Sequence, residues 1–561
     1  MSAVLPPRAK PAAEPGPKPR PQRARRVPSA PDPAVARHRR LVALAVLGVV
    51  LALASAGWLT LRGSGTPPPA TGAAQVVPAG ALAYVHLSTD ASRPAVQAAR
   101  RLASRFPDYP LLYAAVLNRL DGVLGGSAGG NFAAKLRPWL GKEAALAALG
   151  TSGATAETLL VLDVSNRARA QAFLRTAGAA PAGAYAGVRL LAYPSGSEVA
   201  LVGHYLVAGP EAGVRASIDA WRGRAPSLAA NSAYERAAAG EPAGRVLDAY
   251  LPAAGVERLL DGRTRLLGAI GVLLDRPALA GTAISLSAVP GGAQVLLHSV
   301  TKGAAKSNAG SFTPTLQSVL PTGSTLMLDV DGLNHAGPEL LRAGATAGIG
   351  GNLQLLLSRL GTALTSQGVN VHHVLATFAG ETAVALSPGP SPALLIVARV
   401  RNETAARSEL ASLEGPLTSL FSPASSATAG GQVPELADAQ VGDATVHELQ
   451  LGPGLQVDFG VWNGLAVLST SLQAIDAVAQ RSRALASDPA YKAVVPSESG
   501  RVSSLLFGNF TQLLSLGEQI GLTGSAHTHE LLGDLSKISA IGMSSTSGDN
   551  GQTTVLTLRT P

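Results

Sequence analysis

Across 561 residues this chain has no cysteine. That excludes disulfides, thiolate metal ligands, a cysteine nucleophile and a lipid-modified N-terminal cysteine. Aromatic residues are scarce too, at 4% of a chain that is 46% hydrophobic. The core must therefore come from Ala, Leu and Val by burial alone, which large domains can achieve because they bury most of the surface their unfolded chains expose. Charge is sparse, and the net +9 is confined to one end. Residues 1–62 hold 11 basic and two acidic residues, whereas the rest has 34 of each sign. A body without basic excess has no means of holding a phosphate backbone non-specifically, so no nucleic-acid partner is expected. Phosphate loops, dinucleotide fingerprints and recognisably spaced carboxylate pairs are missing as well.

What is present begins with one apolar run, Leu41 to Leu61. As a helix its 21 residues reach about 31 Å, enough to cross a hydrocarbon core once. The tail before it carries ten Lys/Arg (Arg8, Lys10, Lys18, Arg20, Arg23, Arg25, Arg26, Arg37, Arg39 and Arg40), while the far flank has only Arg62 before Arg93. That asymmetry predicts a cytoplasmic N-terminus and an extracytoplasmic C-terminal part. A cleaved export signal is the rival reading, because Ala54-Ser55-Ala56 fits a cleavage site and Arg39-Arg40 resembles a twin-arginine start. The run continues past that site to Trp58 and Leu61, which favours an anchor. The Pro/Arg-rich tail, residues 1–40, lacks apolar periodicity and is expected to be disordered. Residues 62–75, with three consecutive prolines at Pro67 to Pro69, are expected to form an extended stalk.

Beyond the stalk the chain repeats itself. Val77-Pro78-Ala79-Gly80 before ALAYVHL is matched by Leu320-Pro321-Thr322-Gly323 before STLMLDV. WLGKEAALAAL from Trp139 pairs with FAGETAVAL from Phe378, although Glu143 and Glu381 align only after a one-residue shift. Asn166 falls opposite Asn402, each where a strand hands over to a helix that asparagine can cap. Ile218-Asp219-Ala220 recurs as Ile475-Asp476-Ala477, Tyr234 as Tyr491, and Gly244-Arg245-Val246 as Gly500-Arg501-Val502. Collinear matches of this kind point to duplication. Strands in neighbouring pairs, separated by Gly/Pro/Ser turns, predict antiparallel hairpins. Helices are expected at Pro94 to Leu124, Asn166 to Thr176 and Pro210 to Trp221. The fold class expected is α+β: two tandem modules of antiparallel sheet covered by helices, behind one transmembrane helix. Their boundaries are 76–301 and 316–561, joined by a linker at 302–315.

Several of these residues carry a family resemblance. They are the membrane segment, the openers at Pro78 and Pro321, the aromatic-x-Gly approaches at Trp139 and Phe378, and the pairs Asn231/Tyr234 and Asp488/Tyr491. With them the chain resembles an actinobacterial family of membrane-anchored proteins whose exported domain has no assigned function. The resemblance implies an exported domain over residues 76 to 561 and supplies no catalytic residues.

Motifs that might carry chemistry are weak. Gly125-Gly126-Ser127-Ala128-Gly129 satisfies GxSxG but follows a helix, where a nucleophile elbow needs a strand. Ser299-Val300-Thr301-Lys302 satisfies SxxK at a strand end, where i and i+3 face opposite ways. His527-Thr528-His529-Glu530 and His372-His373 lack the spacing that sets two ligands on one helical face. Asp329-Val330-Asp331 aligns with His86-Leu87-Ser88, so it reads as a strand-end turn. Tyr234 and Tyr491 read as core residues beneath a short helix, and Gly141 and Gly380 as helix C-caps. No catalytic, cofactor-binding or metal site is assigned, and no cofactor is expected. The function expected is a single-pass binding or scaffolding protein of the cell envelope. Its partners would be the lipid bilayer through residues 41–61 and an envelope protein or apolar ligand. The alternatives are an exported hydrolase whose site converges only in three dimensions and a carrier of an apolar ligand.

Overall fold

A computed structural model describes residues 67–561, apart from 125–131, 262–277, 304–309, 333–376, 388–392, 419–434, 520–532 and several shorter loop stretches. The run Leu41–Leu61 lies outside the described residues, and among those residues no helix is long and apolar enough to cross a membrane.

Every strand pairing is antiparallel. In the first half the strands are β1 (Ala83–Ser88), β2 (Leu140–Ser152), β3 (Thr155–Val164), β4 (Ala180–Tyr185) and β5 (Val188–Ala192). They continue as β6 (Glu198–Val202), β7 (Tyr205–Gly209), β8 (Arg245–Pro252), β9 (Leu279–Val289) and β10 (Gly292–Thr301). The second half contributes β11 (Leu326–Asp331), β12 (Glu381–Ser387), β13 (Ala393–Arg399), β14 (Glu435–Val441) and β15 (Ala444–Gly452). It ends with β16 (Leu455–Trp462), β17 (Leu465–Ser469), β18 (Ser504–Asn509), β19 (Ala540–Gly548) and β20 (Gly551–Arg559).

Following the pairings from edge to edge gives the order 4-5-6-7-3-2-1-8-9-10 and then 20-19-18-11-12-13-17-16-15-14. The second half thus runs the first half's order in reverse, and the two meet at β10–β20. Nine residue pairs, from Gly292 opposite Arg559 to Val300 opposite Gly551, form that seam, with Leu296 opposite Val555 at its middle. Each seam strand is also the second arm of a tight hairpin, β9–β10 and β19–β20.

The helices are α1 (Pro94–Ala103), α2 (Tyr109–Val123), α3 (Phe132–Leu136), α4 (Arg167–Thr176), α5 (Glu211–Trp221), α6 (Ser232–Ala238) and α7 (Ala253–Asp261). Four more follow: α8 (Glu403–Ala411), α9 (Leu472–Ala479), α10 (Pro489–Val494) and α11 (Phe510–Gln519). Antiparallel sheet with covering helices is an α+β fold. Asn166 and Asn402 cap α4 and α8, accepting from the Arg169 and Ala405 N–H groups at 3.0 and 3.1 Å. The helix expected over Pro94 to Leu124 is broken in two, since Pro107 has no N–H to continue the ladder.

One core lies beneath the turn Gly72–Gln75, α5 and α6 and includes Val76, Val77, Leu159, Val207 and Ile218. Its counterpart in the second half includes Leu316, Leu320, Leu395, Val467 and Ile475. At the seam α1 packs Val96, Ala99 and Leu102 with Leu286, Val295 and Leu558, so residues of both halves share that cluster.

Three expectations change. Gly141 and Gly380 are not helix C-caps. Gly141 lies in β2, where an added Cβ would stand 2.0 Å from Asp163 Oδ2, and at Gly380 it would stand 3.0 Å from the Arg399 carbonyl. Both glycines let a neighbouring strand approach. Asp329 is not in a strand-end turn but inside β11, fully buried. The segment expected as a stalk is packed in its last part: Gly72–Gln75 forms a 3-10 turn with Ala73 and Ala74 buried, because its apolar small residues fit the core.

Candidate functional site

Alternation along β1 turns Tyr84, His86 and Ser88 to one buried face. His86 stands directly opposite Asp248 on β8, and Glu143 on β2 stands opposite Ser88, one step diagonal to His86. Cross-strand neighbours on one face are close enough to touch. His86 Nδ1 donates to Asp248 Oδ1 at 2.9 Å, and its Nε2 lies 3.2 Å from Glu143 Oε2. No part of the His86 side chain reaches solvent. Burial alone would lower its pKa, but the two carboxylates outweigh burial and raise it to about 9, so the ring is an imidazolium at neutral pH.

A second shell of charge surrounds this triad. The register shift in β8 between Arg245 and Leu247 sets Arg245 beside Asp248, where its Nε lies 3.1 Å from Asp248 Oδ1 and 3.0 Å from Glu241 Oε2. Glu241 is pushed up to about 8 by burial and by the charge of Asp248. Glu143 is pushed up by burial, yet hydrogen bonds from His86, Tyr205 and the Ala73 N–H hold its pKa below the usual range. The Tyr205 hydroxyl donates to Glu143 Oε1 at 2.6 Å, and burial with that bond raises the phenol's pKa.

This cluster grips the chain just past the predicted anchor. Ala73 N–H donates to Glu143 Oε2 at 3.2 Å. Arg93, the residue before α1, donates to the Pro67 carbonyl from Nε at 3.3 Å and Nη2 at 3.1 Å. The same guanidinium reaches the carbonyls of Arg245 at 3.1 Å and Ala243 at 2.9 Å. Residues 67–73 are therefore clasped at both ends, by Arg93 and by Glu143.

In the second half the corresponding glutamate does the same work. Glu381 accepts from the Thr315 N–H, from the Thr315 hydroxyl at 2.5 Å and from the Leu316 N–H at 2.8 Å. Arg501 holds the Ser311 hydroxyl at 3.0 Å and the Ser311 carbonyl. At the position of His86 stands Asp329, opposite Ala383 and Leu505. Burial, then the charge of Glu381, raises Asp329 to about 8, so it is protonated at neutral pH. One half encloses ion pairs, and the other a neutral acid beside an apolar leucine.

The sequence motifs divide accordingly. Glu143, Glu381, Arg245 and Arg501 come from segments matched between the halves. Asp248 was not signalled, and its only trace was an acidic residue three positions beyond a repeated arginine. Pro78 and Pro321 bridge Ser227 and Ala484 respectively. Asn231 and Asp488 cap α6 and α10 through the N–H groups of the next residues, Ala233 and Tyr234 or Ala490 and Tyr491. Tyr234 meets Tyr84 and Tyr250 edge-on, and Tyr491 meets Phe507. Ser299 bonds Thr282 across the β9–β10 hairpin at 2.9 Å rather than facing Lys302. Residues 125–129, His372-His373 and His527 to Glu530 lie outside the described residues. Among the described ones no three metal-ligating side chains gather at metal distance.

The fold and this site define an antiparallel α+β protein with a buried ionic clasp on the segment that enters it. The chain belongs to the DUF3352 family, described as a protein of unknown function, whose model matches residues 41–558. No curated protein matches it. Among solved structures it is similar to crystal forms I and III of TP0453, each at 14% identity. Those matches cover 45% and 43% of this chain and 90% and 88% of the other, with TM-scores of 0.23 and 0.24.

Proposed function

We propose that this is a single-pass membrane protein, N-terminus cytoplasmic, whose two related modules form an extracytoplasmic binding or scaffolding unit of the cell envelope. The observation that carries the reading is the clasp. Six residues after the apolar run ends at Leu61, Arg93 fixes Pro67, and Glu143 then fixes Ala73. A buried, charged grip on the first residues of the body suits a protein whose position relative to a membrane matters. The enclosed triad is sealed from solvent, which suits a structural role better than chemistry on a dissolved substrate. Duplication is supported by the mirrored strand order about the β10–β20 seam. A body held together by a continuous sheet gives the two modules one fixed relation, as a scaffold requires.

Protease treatment of intact spheroplasts tests topology. Digestion of the part beyond residue 67, with an N-terminal epitope spared, is the result expected. Protection of the C-terminal part overturns the reading.

A further inference from the structure

Helix α2 is apolar on more than the face it buries. Leu117, Leu120 and Val123 pack against Trp139, Phe173 and Leu206 in the core. On the other side its first half leaves Leu111 69% and Tyr113 45% exposed, with Pro110, Ala114 and Ala115 exposed beside them. Leu111, Ala114 and Ala115 follow helical i, i+3, i+4 spacing, so they form one outward face. A helix apolar on its outer as well as its inner side calls for a second apolar environment.

Two observations say which. The first is reach. The apolar run ends at Leu61 and the body begins at Pro67, six residues on, a span of at most about 20 Å. Pro67 is held by Arg93 at the head of α1, and the ten residues of α1 advance about 15 Å toward α2. The outward face of α2 can therefore meet a membrane surface in which Leu41–Leu61 is embedded. The second is charge. Arg100, Arg101 and Arg105 are exposed on α1 and just after it, and no acidic residue lies within α1. Apolar residues flanked by arginines are what an interfacial helix presents to anionic lipid.

We infer that the outward face of α2 docks on the bilayer that holds the chain, with Leu111 and Tyr113 in the interface and Arg100 and Arg101 on its phosphates. This rests on the anchored reading above. Docking at α2 together with the clasp at Pro67 fixes the body's tilt at two points.

The absence of cysteine makes the test clean. The full chain, in vesicles of phosphatidylcholine and phosphatidylglycerol, would carry one spin label at Leu111→Cys or, as a control on an exposed position of α4, at Ala172→Cys. The ratio of oxygen accessibility to that of an aqueous nickel reagent should be several-fold higher at 111 than at 172. Arg100→Glu with Arg101→Glu should lower the ratio at 111 several-fold. Equal ratios at 111 and 172 overturn the docking, and a ratio unmoved by the double change overturns the arginines' part in it. Alkaline extraction of the same vesicles separates the two readings. A chain that washes off overturns the anchor, whereas a chain that stays while Leu111 remains in water overturns only the docking.

Discussion

Glu143 and Glu381 occupy the same register in the two halves, and each accepts backbone N–H groups from a 3-10 turn laid over the sheet. What surrounds them differs. Around Glu143 stand His86, Asp248, Arg245 and Glu241. Glu381 faces Asp329, whose strand neighbour in place of Asp248 is Leu505. The second half shows that the turn needs only the glutamate. The charge in the first half is an addition, made where the chain arrives from the apolar run. Buried ion pairs gain little net stability over apolar packing, but removal of one member is strongly destabilising. Such a cluster makes a joint that holds one geometry.

The largest effect is expected from making the first half resemble the second. Asp248→Leu leaves the His86 and Arg245 charges short of their carboxylate and should cost about 3–5 kcal/mol. Chemical denaturation of the full chain in detergent measures it, and a loss below about 1 kcal/mol would contradict the ionic account. The pH dependence has a definite sign. His86 rises from 6.5 to about 9 on folding, so its contribution is complete below about pH 6.5 and disappears as pH climbs through 9. Glu143 is lowered, so its contribution holds at neutral pH and fades as pH falls through its depressed value. Hydrogen exchange at Ala73, corrected for intrinsic rate, should therefore accelerate above pH 9.

Asp329 runs the opposite way. Its carboxyl is raised from 3.8 to about 8, so folding keeps a proton that the unfolded chain sheds, and stability falls as pH climbs from about 4 to 8. Asp329→Asn removes that penalty while keeping the shape. Stabilisation of about 2–4 kcal/mol at pH 7 and almost none at pH 4 is expected. Thermal unfolding at both pH values reads it, and equal shifts would refute the protonated acid.

Glu143→Ala and Glu381→Ala probe what the halves share. Each strands N–H groups of its turn, at about 1–3 kcal/mol. The Glu143 change should be the larger, because its side chain is 3% exposed against 9% for Glu381. Local exchange at Ala73 and Leu316 compares them directly.

These contrasts explain what was legible in advance. Hairpins, the α4 and α8 caps and the Asn231/Asp488 turns follow from local chemistry, so alternation and cap residues revealed them. The one-residue slip between Glu143 and Glu381 was visible, but its cause was not. It lies in the irregular pairing of β2 between Leu140 and Ala144, where the Asp163 carboxylate accepts from Lys142 N–H at 2.6 Å. The β10–β20 seam was hidden because its strands are some 250 residues apart and nothing local specifies their partner. Asp248 was hidden likewise, since only the meeting of β1 with β8 gives an isolated aspartate its histidine. Gly141 and Gly380 were misread because a glycine before a strand looks the same whether it ends a helix or admits a neighbouring side chain.

The smallest effect should be the most even. Asn166 and Asn402 cap α4 and α8 by the same bond, to the third residue on, at 3.0 and 3.1 Å on exposed helix starts. Neither touches the charged cluster. Alanine at either position should cost about 1 kcal/mol by stranding one N–H of the first turn. The two losses should agree within about 0.5 kcal/mol and add in the double variant, since the sites share no partner. A much larger loss from Asn166→Ala would mean that α4 takes part in the clasp. The difference between the halves would then extend beyond the sheet face that holds His86 and Asp329.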